Sequence, residues 1–175
     1  MKKNKAFFLD RDGTINVDYG YIQDTDRLVL LEGAAKAVRM MNESGYKVIV
    51  ITNQSGVARG YFDDSDVVKV NDALQKMLQA HGAHIDRFYV CPHHPNGIIA
   101  PYNIACRCRK PGLLLYEQAV RDYLIDMGQS YAAGDKISDI QNLYQMGIKQ
   151  TGLISERVQA GCYRSLLEFT KHVLQ

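Results

Sequence analysis

Short apolar segments rich in Phe, Val and Ile alternate along this chain with longer segments in which apolar residues recur at helical spacing. Such alternation is typical of βα units, in which a helix follows each strand of a parallel sheet. We therefore predict an α/β fold, a Rossmann-like parallel sheet with helices on both faces. The predicted strands span residues 5–10, 47–52, 87–91, 131–134 and 150–154.

Five helices are predicted between and after these strands. In the first, Ala34, Ala37, Val38 and Met41 lie at the spacing of one helix face, and Gly45 ends the segment. The same spacing predicts helices near residues 67–81, 113–124, 140–146 and 164–173. Each helix then has one apolar side to pack against the sheet.

Length and charge narrow the class of protein. A chain of 175 residues suits one domain, so we expect a single domain over residues 1–175. The net charge of +2 and the absence of a long Lys/Arg run argue against a nucleic-acid binder. No segment has the ~20 apolar residues of a membrane span, and the first apolar run is too short for a signal peptide. We expect a monomeric cytoplasmic protein with a small-molecule partner.

Polar residues follow several of the predicted strands. Asp10 and Asp12 follow the first strand, Thr52 ends the second, and Asp135 follows the fourth. Ligands of open α/β sheets bind beyond the carboxyl ends of the strands, so these side chains should converge there with Lys110. Two carboxylates at one strand exit allow one to attack a phosphate while the other transfers protons.

The segment from residue 92 to 111 has no helical or strand period and reads as a long loop that needs a stabilising element. Cys91, His93, Cys106 and Cys108 supply three thiolates and one imidazole around it. This set closes a tetrahedral structural zinc site without an open position. In a reducing compartment such clustering favours metal over disulfide, although packing of free cysteines is the alternative. We therefore expect a structural zinc loop at 91–108.

These motifs, in this order and spacing, resemble those of the haloacid dehalogenase superfamily of phosphatases. Closer still, segments 10–16, 52–60, 91–95, 106–111 and 134–136 resemble the family of D-glycero-D-manno-heptose-1,7-bisphosphate 7-phosphatases, a resemblance that reaches about residue 154. It implies a magnesium-dependent enzyme that removes the 7-phosphate of the bisphosphate and leaves heptose 1-phosphate, in ADP- or GDP-heptose biosynthesis. No insertion between the motifs is long enough for a cap domain, so we expect a minimal cap.

The resemblance also implies residue roles. Asp10 would be the nucleophile that forms an aspartyl phosphate, Asp12 the acid and base, and Thr52 and Lys110 the groups that bind the transferred phosphoryl charge. Magnesium would be held by Asp10, the backbone carbonyl of Asp12 and Asp135. We expect Asp139 to orient Asp135 or Lys136 rather than to bind the metal. The implied substrate contacts are Asp18, Tyr19, Gly20, Tyr21, Asn53, Gln54, Ser55, Arg109 and Lys136.

Other functions remain open at this stage. Histidinol phosphatase resembles the same Asp-x-Asp-Gly-Thr start and zinc loop, but the stretch from Thr52 to Gly60 favours the heptose enzyme. A receiver-like signalling domain also takes phosphate on a strand-end aspartate, yet it lacks the second acid and the zinc loop. A non-catalytic, zinc-stabilised interaction module is the third alternative, and it would fail to bind magnesium.

Overall fold

The computed structural model describes residues 3–157 and 159–175 and contains the expected parallel sheet. Six strands lie in the order β3-β2-β1-β4-β5-β6, and every neighbouring pair is parallel. All five predicted strands are present, and none of their ends is shifted by more than one residue. The strands are β1 (Ala6–Leu9), β2 (Lys47–Asn53), β3 (Arg87–Cys91), β4 (Tyr131–Gly134), β5 (Gln150–Ile154) and β6 (Cys162–Tyr163).

The α-helices are α1 (Ala34–Glu43), α2 (Asp64–Gln79), α3 (Leu114–Tyr123), α4 (Ile137–Ile140) and α5 (Leu166–Leu174). Asp63 caps α2, because its side chain accepts hydrogen bonds from the backbone of Ser65 and Asp66. Among the described residues, no helix has both the length and the apolar character needed to cross a bilayer.

Two hydrophobic cores flank the sheet because successive strand side chains point to opposite faces. On β1, Phe7 and Leu9 pack into a core with residues of α1, α2 and α5. Phe8 packs on the other face, against residues of α3 that include Tyr116. The prediction of helices on both faces is therefore confirmed.

One local prediction was wrong, and one strand was missed. The helix predicted at 140–146 is instead α4 followed by a 3₁₀ turn (Leu143–Met146), which ends at Gly147 with a φ of 74°. Strand β6 was not predicted. It has only two residues, which pair with Leu153 and Ile154 of β5, and this is too short to give a periodic signal.

The strand order brings the polar strand ends together. Strand β1 lies between β2 and β4. The chain adds β2 and β3 on one side of β1 and then β4, β5 and β6 on the other side. Leu9 is in register with Val50 of β2 and with Ala133 of β4. The residues that follow these three strands therefore meet at the switch point, where α/β folds bind ligands.

Candidate active site

A cavity of about 440 Å³ opens beyond the carboxyl ends of β1, β2 and β4. All four predicted catalytic residues line it, as do most of the predicted substrate contacts. The catalytic candidates in the lining are Asp10, Asp12, Thr52 and Lys110. The substrate candidates in the lining are Asp18, Gly20, Tyr21, Asn53, Gln54, Ser55, Arg109 and Lys136.

Asp10 and Lys110 form a buried ion pair at the floor of this cavity. The Nζ atom of Lys110 lies 2.7 Å from Oδ1 of Asp10 and 2.7 Å from Oδ1 of Asp139. It also donates to the backbone carbonyl of Ile51, at 2.7 Å. The lysine is only 4% exposed, so three oxygen acceptors hold its ammonium group in one place beside the Asp10 carboxylate.

At the floor of the cavity two carboxyl groups share one lysine, and the pKa values of Asp10 and Lys110 are shifted. Burial raises the pKa of Asp10 to about 7, although the charge of Lys110 opposes the shift. Burial would lower the pKa of Lys110, but Asp10 and Asp139 outweigh that effect and raise it. Lys110 is therefore protonated at neutral pH, while Asp10 exchanges its proton near neutrality.

Asp12 is held in a different environment, at the side of the cavity. Its carboxylate accepts hydrogen bonds from the side chains of Arg11, Asn16 and Gln54. Burial raises the pKa of Asp12, but Arg11 and these hydrogen bonds outweigh that effect, so the pKa lies below its usual value. The charged and polar groups of the protein therefore make Asp10 bind a proton more readily than Asp12.

Residues 52–54 connect these groups. Gln54 donates from Nε2 to Oγ1 of Thr52, at 2.8 Å, and to Oδ2 of Asp12, at 2.9 Å. Asn53 accepts from the backbone N–H of Lys110, at 3.0 Å, and donates to its carbonyl, at 3.3 Å. Both ends of the Asn53 amide are therefore used to hold the backbone of Lys110.

Asp10, Asp135 and Asp139 each offer a carboxylate oxygen within 4.8 Å of the others, a group that could hold a metal ion. Oδ1 of Asp135 is buried, and no partner for it occurs among the described residues. Gly13 has a φ of 81°, and a Cβ at this position would overlap with the Asp135 carboxylate. A buried carboxylate oxygen without a donor fits a hard cation such as Mg²⁺.

Three contacts shape the rim of the cavity. Lys136 lies 3.2 Å from Asp18 and 3.5 Å from Asp135. The rings of Tyr21 and Tyr61 meet edge to face, with centroids 4.7 Å apart. Tyr19, a predicted substrate contact, is not in the cavity lining of the described chain. Its ring instead lies 5.4 Å from the guanidinium of Arg27.

The loop between β3 and α3 gathers Cys91, His93, Cys106 and Cys108 into a second group that could hold a metal ion. Cys108 Sγ lies 3.2 Å from Cys91 Sγ, 3.1 Å from Cys106 Sγ and 3.1 Å from Nδ1 of His93. Tetrahedral zinc ligands are separated by roughly 3.5–3.8 Å, so a small expansion of this group would accommodate the ion.

This cysteine group is continuous with the active site. The backbone N–H of Arg109 donates to Sγ of Cys106, at 3.3 Å, and its Nη1 donates to the carbonyl of His93, at 3.4 Å. Lys110 is the next residue. The backbone that carries both cations is therefore joined directly to the cysteine group.

The sequence did not identify three residues that contribute to the site. Ser138 lines the cavity, Arg11 binds Asp12, and Asn71 accepts a hydrogen bond from Arg11. Arg11 could have been singled out because it stands between two candidate catalytic aspartates. Asn71 gave no signal, because its contact with Arg11 joins positions 60 residues apart.

Comparisons with known proteins agree with this geometry. The family described as polynucleotide kinase 3 phosphatase matches residues 6–148. The D-glycero-β-D-manno-heptose-1,7-bisphosphate 7-phosphatase of Haemophilus ducreyi is 40% identical over 86% of this chain and 82% of its own length. The enzyme of the same name from Yersinia pestis is 44% identical over 78% of this chain and 72% of its own length.

A solved structure is also similar. The D,D-heptose 1,7-bisphosphate phosphatase of B. bronchiseptica, complexed with magnesium and phosphate, is 27% identical, with a TM-score of 0.83. The match covers 98% of each chain. The similarity therefore extends over the whole sheet and the site at its edge.

Proposed function

This chain belongs to the family of heptose-bisphosphate 7-phosphatases within the haloacid dehalogenase superfamily, and we propose that it removes the 7-phosphate of D-glycero-D-manno-heptose 1,7-bisphosphate. The observation that carries the proposal is the buried pair of Asp10 and Lys110 beside Asp12 in the cavity. The product would be heptose 1-phosphate, an intermediate of nucleotide-activated heptose biosynthesis.

In the proposed reaction a carboxylate oxygen of Asp10 attacks phosphorus, and the bond from phosphorus to the sugar oxygen breaks. Asp12, whose pKa the negative charge of the bound phosphate would raise, gives its proton to the departing oxygen, which leaves as an alcohol. Water then attacks the aspartyl phosphate and passes a proton to Asp12, so that Asp10 and phosphate are regenerated. Throughout, the ammonium group of Lys110 offsets negative charge on the transferred oxygens, and the hydroxyl of Thr52 donates a hydrogen bond to them.

Magnesium is part of this proposal. Asp10, Asp135 and the backbone carbonyl of Asp12 would hold the ion, with Asp139 kept in place by Lys110 and the backbone N–H of Lys136. When bound, it would offset the repulsion between a carboxylate nucleophile and a phosphate dianion. The buried oxygen of Asp135 that has no partner supports this assignment.

We predict that magnesium affinity rises with pH. The folded protein holds the pKa of Asp10 near 7, above its ordinary value of 3.8, so Asp10 carries a proton below pH 7 that the ion must displace. Displacement of one proton gives a change of about tenfold in affinity per pH unit below that pKa. Isothermal titration of the metal-free protein with Mg²⁺ at pH 6 and pH 8 measures the difference.

The control for this titration is Asp135→Asn, which removes a charged ligand without removing Asp10. It should weaken binding at both pH values while preserving the pH slope. Equal magnesium affinity of the wild-type protein at pH 6 and pH 8 would contradict the prediction.

The substrate preference follows from the charges around the cavity. Arg109 lines it beside Lys110 and carries a planar fork that suits a second phosphate. A charge-assisted hydrogen bond contributes roughly 1.5–3 kcal/mol. A substrate that cannot form one of these hydrogen bonds should be hydrolysed about tenfold less efficiently, since a factor of ten corresponds to about 1.4 kcal/mol.

We therefore predict that the heptose bisphosphate is hydrolysed with higher kcat/KM than heptose monophosphate, fructose 1,6-bisphosphate or histidinol phosphate. Its β anomer is the first to test, because the relatives are named for it. Phosphorus NMR identifies which phosphate leaves. Preference for histidinol phosphate, or for a 3′-phosphorylated oligonucleotide, would replace the proposed substrate, and release of the 1-phosphate would overturn the regiochemistry.

A further inference from the structure

A fully buried arginine lies between the two candidate catalytic aspartates. Arg11 is 0% exposed, and Asn71 of α2, which contacts it, is 6% exposed. We propose that Arg11 and Asn71 are positioning residues, which fix the carboxylate of Asp12 in the orientation from which it transfers protons. The inference rests on the proposed function only in taking Asp12 as the acid and base.

The guanidinium of Arg11 forms several hydrogen bonds with the carboxylate of Asp12. Its Nη2 lies 2.9 Å from Oδ2 of Asp12, and its Nε lies 3.2 Å from each carboxylate oxygen. Its third nitrogen, Nη1, donates to Oδ1 of Asn71, at 2.9 Å. A planar guanidinium held on both sides fixes the plane of its carboxylate partner, which a single ammonium cannot do.

The backbone brings these neighbours together. Side chains of adjacent residues usually diverge, but the carbonyl of Arg11 accepts from the backbone N–H groups of Thr14, Ile15 and Asn16. This tight turn folds the chain back on itself after β1. The side chains of Arg11 and Asp12 can then meet, and Asp12 keeps 14% of its side chain exposed to the cavity.

The orientation matters because proton transfer depends on geometry. Asn16 and Gln54 hold the same carboxylate from other directions, at 2.8 Å and 2.9 Å. If the carboxylate rotated, its oxygen would no longer face the departing sugar oxygen. A misplacement of about 1 Å can lower a rate by roughly 100-fold. A stable orientation of Asp12 therefore favours both halves of the reaction.

Asn71 links Arg11 to α2, a helix that is distant in sequence. It lies two turns into α2, whose first turn is fixed by the cap at Asp63. Replacement of Asn71 by leucine would keep the branched shape of the side chain but leave Nη1 of Arg11 without its acceptor. A buried cation that loses an acceptor moves towards another one. The guanidinium of Arg11 would then shift, and its hydrogen bonds to Asp12 would weaken.

A double-mutant cycle tests the proposal. We expect Asn71→Leu to lower kcat for an alkyl phosphate about tenfold and to change KM less than twofold. In an Asp12→Asn background the same substitution should change kcat less than twofold, because residues that act as a unit are not additive. A merely structural role for Asn71 predicts the same fractional loss in both backgrounds, and that result would overturn the inference.

A leaving-group comparison provides a second readout. The nitrophenolate of p-nitrophenyl phosphate leaves without a proton, so a displaced Asp12 should matter less for it than for a sugar phosphate. Asn71→Leu should therefore lose less activity on the nitrophenyl ester, as Asp12→Asn should. An equal loss on both substrates would overturn the inference. If Asn71→Leu does not fold, Arg11→Lys replaces it in the cycle, since lysine keeps the charge but not the fork.

The matched control is Gln75→Leu, one turn further along α2. Gln75 holds the backbone of Ile85 through two hydrogen bonds of 2.9 Å, so its loss tests the effect of weakening α2 without touching Arg11. It should leave kcat within twofold of wild type. The cycle can be run on any alkyl phosphate that the wild type hydrolyses, so failure on the heptose substrate is a separate outcome.

Discussion

Replacement of Asp10 by asparagine is expected to lower kcat by at least about 10⁴-fold, the scale of losses when a catalytic nucleophile is removed. The amide keeps the size of the side chain but cannot attack phosphorus. Since Asp10 is 7% exposed and bound to Lys110, no water can simply take its place without moving the lysine. Phosphate release under excess magnesium and substrate measures the loss.

The matched comparison for this variant is Asp139→Asn. It removes the second carboxylate that holds Lys110 at 2.7 Å but leaves the nucleophile in place, so we expect a smaller loss than for Asp10→Asn. Mass spectrometry of the Asp10→Asn protein excludes deamidation back to aspartate. Substantial turnover by intact Asp10→Asn protein would refute the assignment of the nucleophile.

Removal of the cysteine-loop metal is the second change with a large expected effect. We predict about one tightly bound zinc ion per chain and loss of most phosphatase activity in a Cys106→Ser, Cys108→Ser variant. The reason is that Cys106 Sγ accepts the backbone N–H of Arg109, and Lys110 follows directly. Metal binding supplies much of the order of such loops, so its loss should release both cations from the site.

Elemental analysis and activity assays check this prediction together. Cys162→Ser is the control, because Cys162 lies on β6 and is not part of the cysteine group. It should retain both zinc and activity. Protein purified without chelator that contains no zinc, or a double variant with unchanged activity, would contradict the role of the loop.

Elements of the fold could be predicted where a short segment of the sequence carries its own apolar pattern. Strands β1 to β4 each contain a continuous apolar run bounded by polar or helical segments, so these strands and the parallel sheet could be predicted locally. The two-residue β6 is too short to show a strand period in the sequence, and it forms by pairing with the edge of β5. The fourth helix was misplaced because Asp139 starts it early, by accepting the backbone N–H of Lys136.

The site shows the same division between local and long-range information. Strand-end aspartates and the cysteine spacing are local patterns, and the resemblance to a known family named their roles. The sequence predicts Asn53 only as a substrate contact and could not indicate that both ends of its amide hold the backbone of Lys110. The contact between Asn71 and Arg11 likewise depends on how α2 packs against the turn after β1.

The most direct test of the account is detection of the covalent intermediate. The protein is mixed with excess heptose bisphosphate and magnesium, quenched during turnover, and reduced with borohydride, which converts an aspartyl phosphate into homoserine. We expect homoserine at position 10 in the peptide that contains β1, and none in the Asp10→Asn protein. Full turnover without modification of Asp10, or modification at a different residue, would contradict it.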